Sequence, residues 1–171
     1  YEYFPSGTIH LAVVDPGVGT DRTLLVAEGD MQVFVAPDNG LLSEVIEKTN
    51  ATVRLMSNDV VSQHQLPIIS DTFHGRDIFG PVVAALAAGK IGPDECGPII
   101  TDYVPSSIER SVNFNDSVNG IVVAIDNFGN LITSIEADDV AHFRAPIVRL
   151  GGHDIRMAKT YGDVKPGDIL G

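Results

Sequence analysis

Ile9-His10-Leu11-Ala12-Val13-Val14-Asp15-Pro16-Gly17 decides how this chain is read. Six mostly apolar residues, rich in β-branched side chains, run into Asp-Pro-Gly, the pattern of a buried strand that delivers Asp15 at its carboxyl end. In open α/β sheets, ligands bind at that end of the strands. Working outward, Thr23 to Ala27 and Gln32 to Ala36 flank Glu28-Gly29-Asp30 and predict a hairpin. Pro37-Asp38-Asn39-Gly40 breaks the second strand, a short helix is expected from Leu41 to Lys48, and Ala51 to Met56 returns as a strand. Residues 57 to 71 have no clear period and read as a loop. From about Asp77 the chain turns helical, with Ile78, Val82 and Leu86 on the buried side and Gly89 at the stop. Pro81 limits how early that helix begins, because its missing amide is tolerated only within about the first turn.

After Gly97-Pro98 the pattern changes. Residues 101 to 118 are polar and aperiodic, and only short strands are expected beyond them: Gly120 to Ile125, Leu131 to Ile135, Ile147 to Leu150 and Asp154 to Met157, with no further helix. The expected architecture is therefore an α/β domain over 1–111, a partial Rossmann-like layered sheet, followed by a small, partial all-β, barrel-like domain over 112–171. The chain opens on Tyr1 and closes at Gly171, just after Lys165-Pro166-Gly167-Asp168, a turn that leads toward a further strand. An internal fragment of a longer protein is the expectation.

Composition narrows the function classes. The net charge is −12, and the 11 Lys and Arg residues form no basic stripe that could neutralise phosphates, which argues against nucleic-acid binding. Apolar runs such as Val82 to Ala88 fall far short of the roughly 20 residues a membrane helix needs, and no signal segment opens the chain. The single cysteine, Cys96, rules out an internal disulfide and fits a reducing, cytoplasmic compartment.

Three segments carry the chemistry: Asp15-Pro16-Gly17-Val18-Gly19-Thr20 with Arg22, Thr72-Phe73-His74-Gly75-Arg76-Asp77, and Asp126-Asn127-Phe128-Gly129-Asn130. Gly17 and Gly19 could cradle a phosphate, but Asp21-Arg22-Thr23 leads into strand and not helix, so the dinucleotide reading fails. Asp15-Pro16-Gly17 and Asp38-Asn39-Gly40 each also read as plain turns. His74 lies in a loop entering a helix, whereas His10 sits mid-strand and reads as structural. Arg76 and Asp77 read equally as local stabilisation of a helix start. Around Asp126, an aromatic face, an amide and a carboxylate could hold an amino-acid moiety, although a simple β-turn would look the same.

Together, in this order, the three segments resemble the S-adenosylmethionine hydroxide adenosyltransferase family, hydrolytic relatives of the fluorinases and chlorinases. The resemblance runs through nearly the whole chain. It implies that Asp15, Arg22 and His74 form a catalytic set that binds and activates water, a set the halogenating members lack. It also implies substrate contacts from Thr72 and Phe73 beside the ribose and the reacting carbon, and from Asp126, Phe128 and Asn130 around methionine. An early aspartate for the ribose hydroxyls would precede Tyr1, where a first strand–helix unit is missing, and a late loop for adenine and methionine would follow Gly171. The implied reaction is metal-independent and cofactor-free hydrolysis of S-adenosylmethionine, itself the substrate, to adenosine and L-methionine. The implied assembly is a homotrimer with its active sites at subunit interfaces. Three rivals stand beside this: a chlorinase-like halogenase, a non-catalytic adenosine or S-adenosylmethionine binding module, and a metal-dependent hydrolase using His10, His74, Asp15 and Asp77. The last lacks any HxH or HxxxH spacing.

Overall fold

A computed structural model describes residues 1–165 and 167–171. They form two compact units, Tyr1–Ser107 and Ile108–Gly171. Pro166, within the turn expected over Lys165 to Asp168, lies outside the described residues.

The first unit is built on a mixed four-stranded sheet in the order β1-β3-β2-β4, with β1 Ile9–Leu11, β2 Leu24–Gly29, β3 Gln32–Pro37 and β4 Thr52–Leu55. β1 pairs parallel to β3, while β2 pairs antiparallel with both β3 and β4. Because side chains alternate across a strand, β2 and β3 feed two cores at once. Val26 and Val35 point into one, with Val60, Phe79, Val82 and Leu86. Leu25, Ala27, Phe34 and Ala36 point into the other, with Leu42 and Ile46. Helix α1, Ser43–Thr49, supplies Ile46 to the second core. Helices α2, Asn58–His64, and α3, Gly80–Ala87, supply Val60 and Val82 to the first. The hairpin and the first helix thus lie where the periodicity puts them.

Three expectations for this unit need correction. β1 is not a buried strand: it is three residues long at the sheet edge, with Ile9 and His10 half-buried and Leu11 exposed. Pairing ends when the Ala12 amide reaches the Val35 carbonyl at 3.0 Å, and Val13 and Val14 run on outside the ladder. Residues 57 to 71 are not all loop, because Ser57 caps α2 by accepting the Val60 amide at 3.3 Å. With only Val60 fully buried, α2 has no apolar stripe for periodicity to detect. The third helix is preceded by a π-helical turn, Gly75–Phe79. Pro81 cannot donate to the Asp77 carbonyl and crowds it, and that carbonyl instead accepts the Leu66 amide at 2.8 Å. The turn widens there, and the Gly80 amide bonds the Gly75 carbonyl.

The second unit has three separate antiparallel ladders: β5 Val112–Asn113 with β6 Val118–Asn119, β7 Val122–Ile125 with β8 Leu131–Thr133, and β9 Ile147–Leu150 with β10 His153–Arg156. Among the described residues they close no barrel. A helix does follow Gly97 after all, the single turn α4, Ala137–Val140. Asp139 holds it locally, accepting the Glu136 amide at 2.9 Å, the Ser111 hydroxyl at 2.7 Å and the Asn113 side-chain amide at 3.0 Å. One turn is too short to leave a periodic trace. No helix among the described residues is long and apolar enough to cross a membrane.

Candidate active site

Asp15 and Arg22 bound a loop whose own bonds are short turns: the Val18 amide to the Asp15 carbonyl at 3.2 Å, and the Thr20 amide to the Gly17 carbonyl at 3.1 Å. Arg22 folds back across that loop. Its Nε and Nη2 both donate to Asp15 Oδ2, at 2.9 and 2.6 Å. Only 10% of the Arg22 side chain and 6% of the Asp15 side chain remain exposed. The guanidinium also lies over the fully buried Phe79 ring, 5.4 Å from its centroid. A pair this dry persists because charge is compensated within bond length.

His74 joins the same chain of contacts, with Arg22 Nη2 3.0 Å from its Nδ1. Arginine can only donate, so in this contact Nδ1 accepts and the ring proton is assigned to Nε2. That leaves Nε2–H as a donor with no partner among the described residues. Asp15 Oδ1, by contrast, is buried and has no hydrogen-bond partner among the described residues. Side chains 59 positions apart in sequence therefore converge on one small polar point, with an acceptor at one end and a donor at the other.

Backbone packing holds the two loops together. Gly19 has φ +80°, and a Cβ there would come within 2.9 Å of the Asp71 carbonyl oxygen, so only glycine permits this approach. Thr72 and Phe73 follow immediately and are exposed, with the Arg76 guanidinium 4.9 Å above the Phe73 ring. Asp77 clasps the loop from beneath. It is fully buried, accepts Arg76 Nε at 2.6 Å and takes the Ser70 amide at 2.8 Å. The Arg76 bond first, and then the Ser70 amide, holds its carboxyl below the usual carboxylate range.

A folded-state value below the unfolded one stabilises the protein at pH above the unfolded value of about 3.9, and that contribution is lost as pH falls toward the folded value. Asp77→Asn is therefore expected to lower the denaturant midpoint at neutral pH, with the gap to wild type narrowing below about pH 4. A gap that stays constant across that range would show that the Asp77 charge contributes nothing.

In the second unit, Asp126 organises the turn between β7 and β8. Its Oδ1 accepts the amides of Phe128 and Asn130, each at 2.8 Å, and its Oδ2 accepts Asn130 Nδ2 at 2.7 Å. The Asn130 amide leads in holding this carboxyl below the usual range. Phe128 stands 91% exposed. Sequence reading missed Tyr161, whose hydroxyl bonds Asn130 Oδ1 from 31 positions away, a separation that leaves no local signal. It also missed Phe79, a fully buried ring on which Arg22 rests. His10 is structural: Nε2 bonds Gln32 Oε1 and the ring stacks on Phe34 at 4.9 Å. Among the described residues no three His, Cys, Asp or Glu side chains cluster as a metal site requires. Asp15 and His74 meet through a cation, Arg22.

Two family models match the chain: one described as the SAM hydroxide adenosyltransferase N-terminal domain over residues 1–97, and one described as that family's C-terminal domain over residues 120–171. The (R)-S-adenosyl-L-methionine hydrolase of Thermus thermophilus is 35% identical over 96% of this chain and 64% of its own length. The fluorinase of Actinopolyspora mzabensis is 29% identical over 81% of this chain and 54% of its own length. Among solved structures, an uncharacterized conserved protein of Thermotoga maritima matches with a TM-score of 0.82 at 36% identity, over 99% of this chain and 66% of that one. The chain thus spans about 64% of the length of the hydrolase it matches.

Proposed function

The chain belongs to the SAM hydroxide adenosyltransferase family, and on that premise we propose that its protein hydrolyses S-adenosyl-L-methionine to adenosine and L-methionine. One observation carries the reading: the half-buried Asp15–Arg22–His74 chain, at 2.6 and 3.0 Å, whose ends are a carboxylate oxygen with no partner among the described residues and an imidazole N–H. A water between them donates to Asp15 Oδ1 and accepts from His74 Nε2–H. Its remaining lone pair is left to attack.

In the reaction, the water oxygen bonds the ribose 5′ carbon as the carbon–sulfur bond breaks, and the bonding pair leaves with the methionine sulfur. The sulfonium is thereby neutralised, and the proton lost from water passes to Asp15 and on to solvent. Methionine is already a good leaving group, so the protein's contribution is in-line placement and a dry acceptor. Arg22 keeps Asp15 aimed. We assign Thr72 and Phe73 to the ribose and reacting carbon, and Asp126, Phe128 and Asn130 to methionine. Asp126 Oδ2 carries one bond and keeps a lone pair for an ammonium group. The same reading takes the protein to be a cytoplasmic homotrimer.

A halide gains little at such a point. It would face a carboxylate oxygen whose charge Arg22 already balances, yet would still have to shed its hydration. The full-length protein is therefore expected to release adenosine and methionine in halide-free buffer and to form little 5′-chloro-5′-deoxyadenosine at high chloride. Dominance of the chlorinated product would overturn the assignment in favour of halogenation.

A further inference from the structure

The turn Asp38-Asn39-Gly40 is tied to residues on both sides of the Asp15–Arg22 pair, and nothing in the proposed reaction uses it. We propose that Asp38 and Asn39 are positioning residues: a bracket that sets the separation of Asp15 and Arg22, and through Arg22 the placement of His74. This rests on the hydrolytic reading above.

The need for such a bracket follows from the backbone. Val14 lies beyond the last ladder bond of β1, and Pro16 to Asp21 are exposed or half-buried with only short turn bonds of their own. Neither feature anchors Asp15 or Arg22 to the sheet. Asn39 and Asp38 do so directly. Asn39 Nδ2 donates to the Val14 carbonyl, one residue before Asp15, at 2.7 Å, and its Oδ1 accepts the Leu41 amide at 3.2 Å, which fixes the amide's orientation. Asp38 holds Thr23, one residue after Arg22, by two bonds. Its amide donates to the Thr23 carbonyl at 2.9 Å, and its Oδ2 accepts the Thr23 hydroxyl at 3.1 Å.

The bracket is itself anchored. Asp38 Oδ1 accepts the Val104 amide at 2.8 Å, and Ser43 Oγ donates to the Val104 carbonyl at 3.0 Å. Gly40, at φ +89°, lets the Pro105 carbonyl oxygen come within 2.6 Å of where a Cβ would stand. Two adjacent side chains therefore tie both ends of the catalytic loop to the end of β3. Displacement of a reacting group by about 1 Å can cost roughly 100-fold in rate, so even partial loosening of this tie is expected to be visible in turnover.

The test uses the full-length protein and three variants. Asn39→Ala removes the bond to Val14, Thr23→Val removes the hydroxyl held by Asp38 while keeping a β-branched side chain, and Thr23→Ser keeps the hydroxyl. With S-adenosylmethionine as substrate, Asn39→Ala and Thr23→Val are expected to lower kcat roughly 10-fold with KM nearly unchanged, and Thr23→Ser to recover most of it. The ¹⁵N shift of His74 Nδ1, which reports the Arg22 bond, should move in the first two variants and not in the third. Folded variants with wild-type kcat and an unmoved His74 signal would overturn the bracket. If wild type releases no adenosine, the hydrolytic reading fails by itself. The His74 signal then still decides the bracket: movement supports it, and no movement overturns it.

Discussion

Asp15→Asn is expected to lower turnover of S-adenosylmethionine by roughly 10²- to 10⁴-fold, the scale of general acid–base assistance, with much less change in substrate affinity. Asn keeps a carbonyl oxygen that can still receive Arg22, so the loop retains its main tie. It replaces Oδ1, which has no partner among the described residues, with an NH₂ group, turning the acceptor proposed to face water into a donor. The charge that takes up the proton is lost as well. Single-turnover rates together with equilibrium binding separate these effects. A variant that binds and turns over like wild type would remove Asp15 from the chemistry and leave it as the partner that keeps Arg22 in place.

His74→Ala is expected to reduce turnover by roughly 10²- to 10⁴-fold as well, through a different loss. The Nε2–H donor disappears, and Arg22 Nη2 loses its acceptor at 3.0 Å, so both the water and the guanidinium lose a contact. Thr72, Phe73 and the Asp126 turn are untouched, so affinity should change far less than rate. A thermal melt checks that the half-buried site still folds. If rate and affinity fall together, His74 is a packing or substrate-binding residue.

Much of the first unit is legible in the sequence because its signals are local. The β2–β3 hairpin has alternating strands around a short turn, and Ile78, Val82 and Leu86 keep helical spacing through to Gly89. Features decided by distant partners are not legible. Nothing in Ile9 to Val14 says that the strand will lie at an edge with only Ile9 to Leu11 in the ladder, since this depends on which neighbours pair with it. The π turn comes from Pro81 acting on Asp77 while Leu66, eleven positions upstream of Asp77, takes the released carbonyl. Helix α4 is one turn held by Asp139, with bonds from Ser111 and Asn113.

The site divides along the same line. Asp15, Arg22 and His74 can each be picked out as polar residues at the end of apolar runs, but their meeting spans 59 positions and was implied by family resemblance, not by spacing. Asp38 and Asn39 read as turn formers because their local chemistry is turn chemistry. Their bonds to Thr23 and Val14, 15 and 25 positions away, leave no periodic trace. Phe79 carries the same lesson: its contact with Arg22, distant in sequence, leaves no local trace.

If water attacks the ribose 5′ carbon, its oxygen ends in adenosine. Turnover of S-adenosylmethionine by the full-length protein in ¹⁸O-labelled water, followed by mass spectrometry of the products, tests this most directly. Adenosine carrying one ¹⁸O at its 5′ oxygen and methionine carrying none is the expected result. Labelled methionine, or adenosine released without label, would contradict water attack at that carbon.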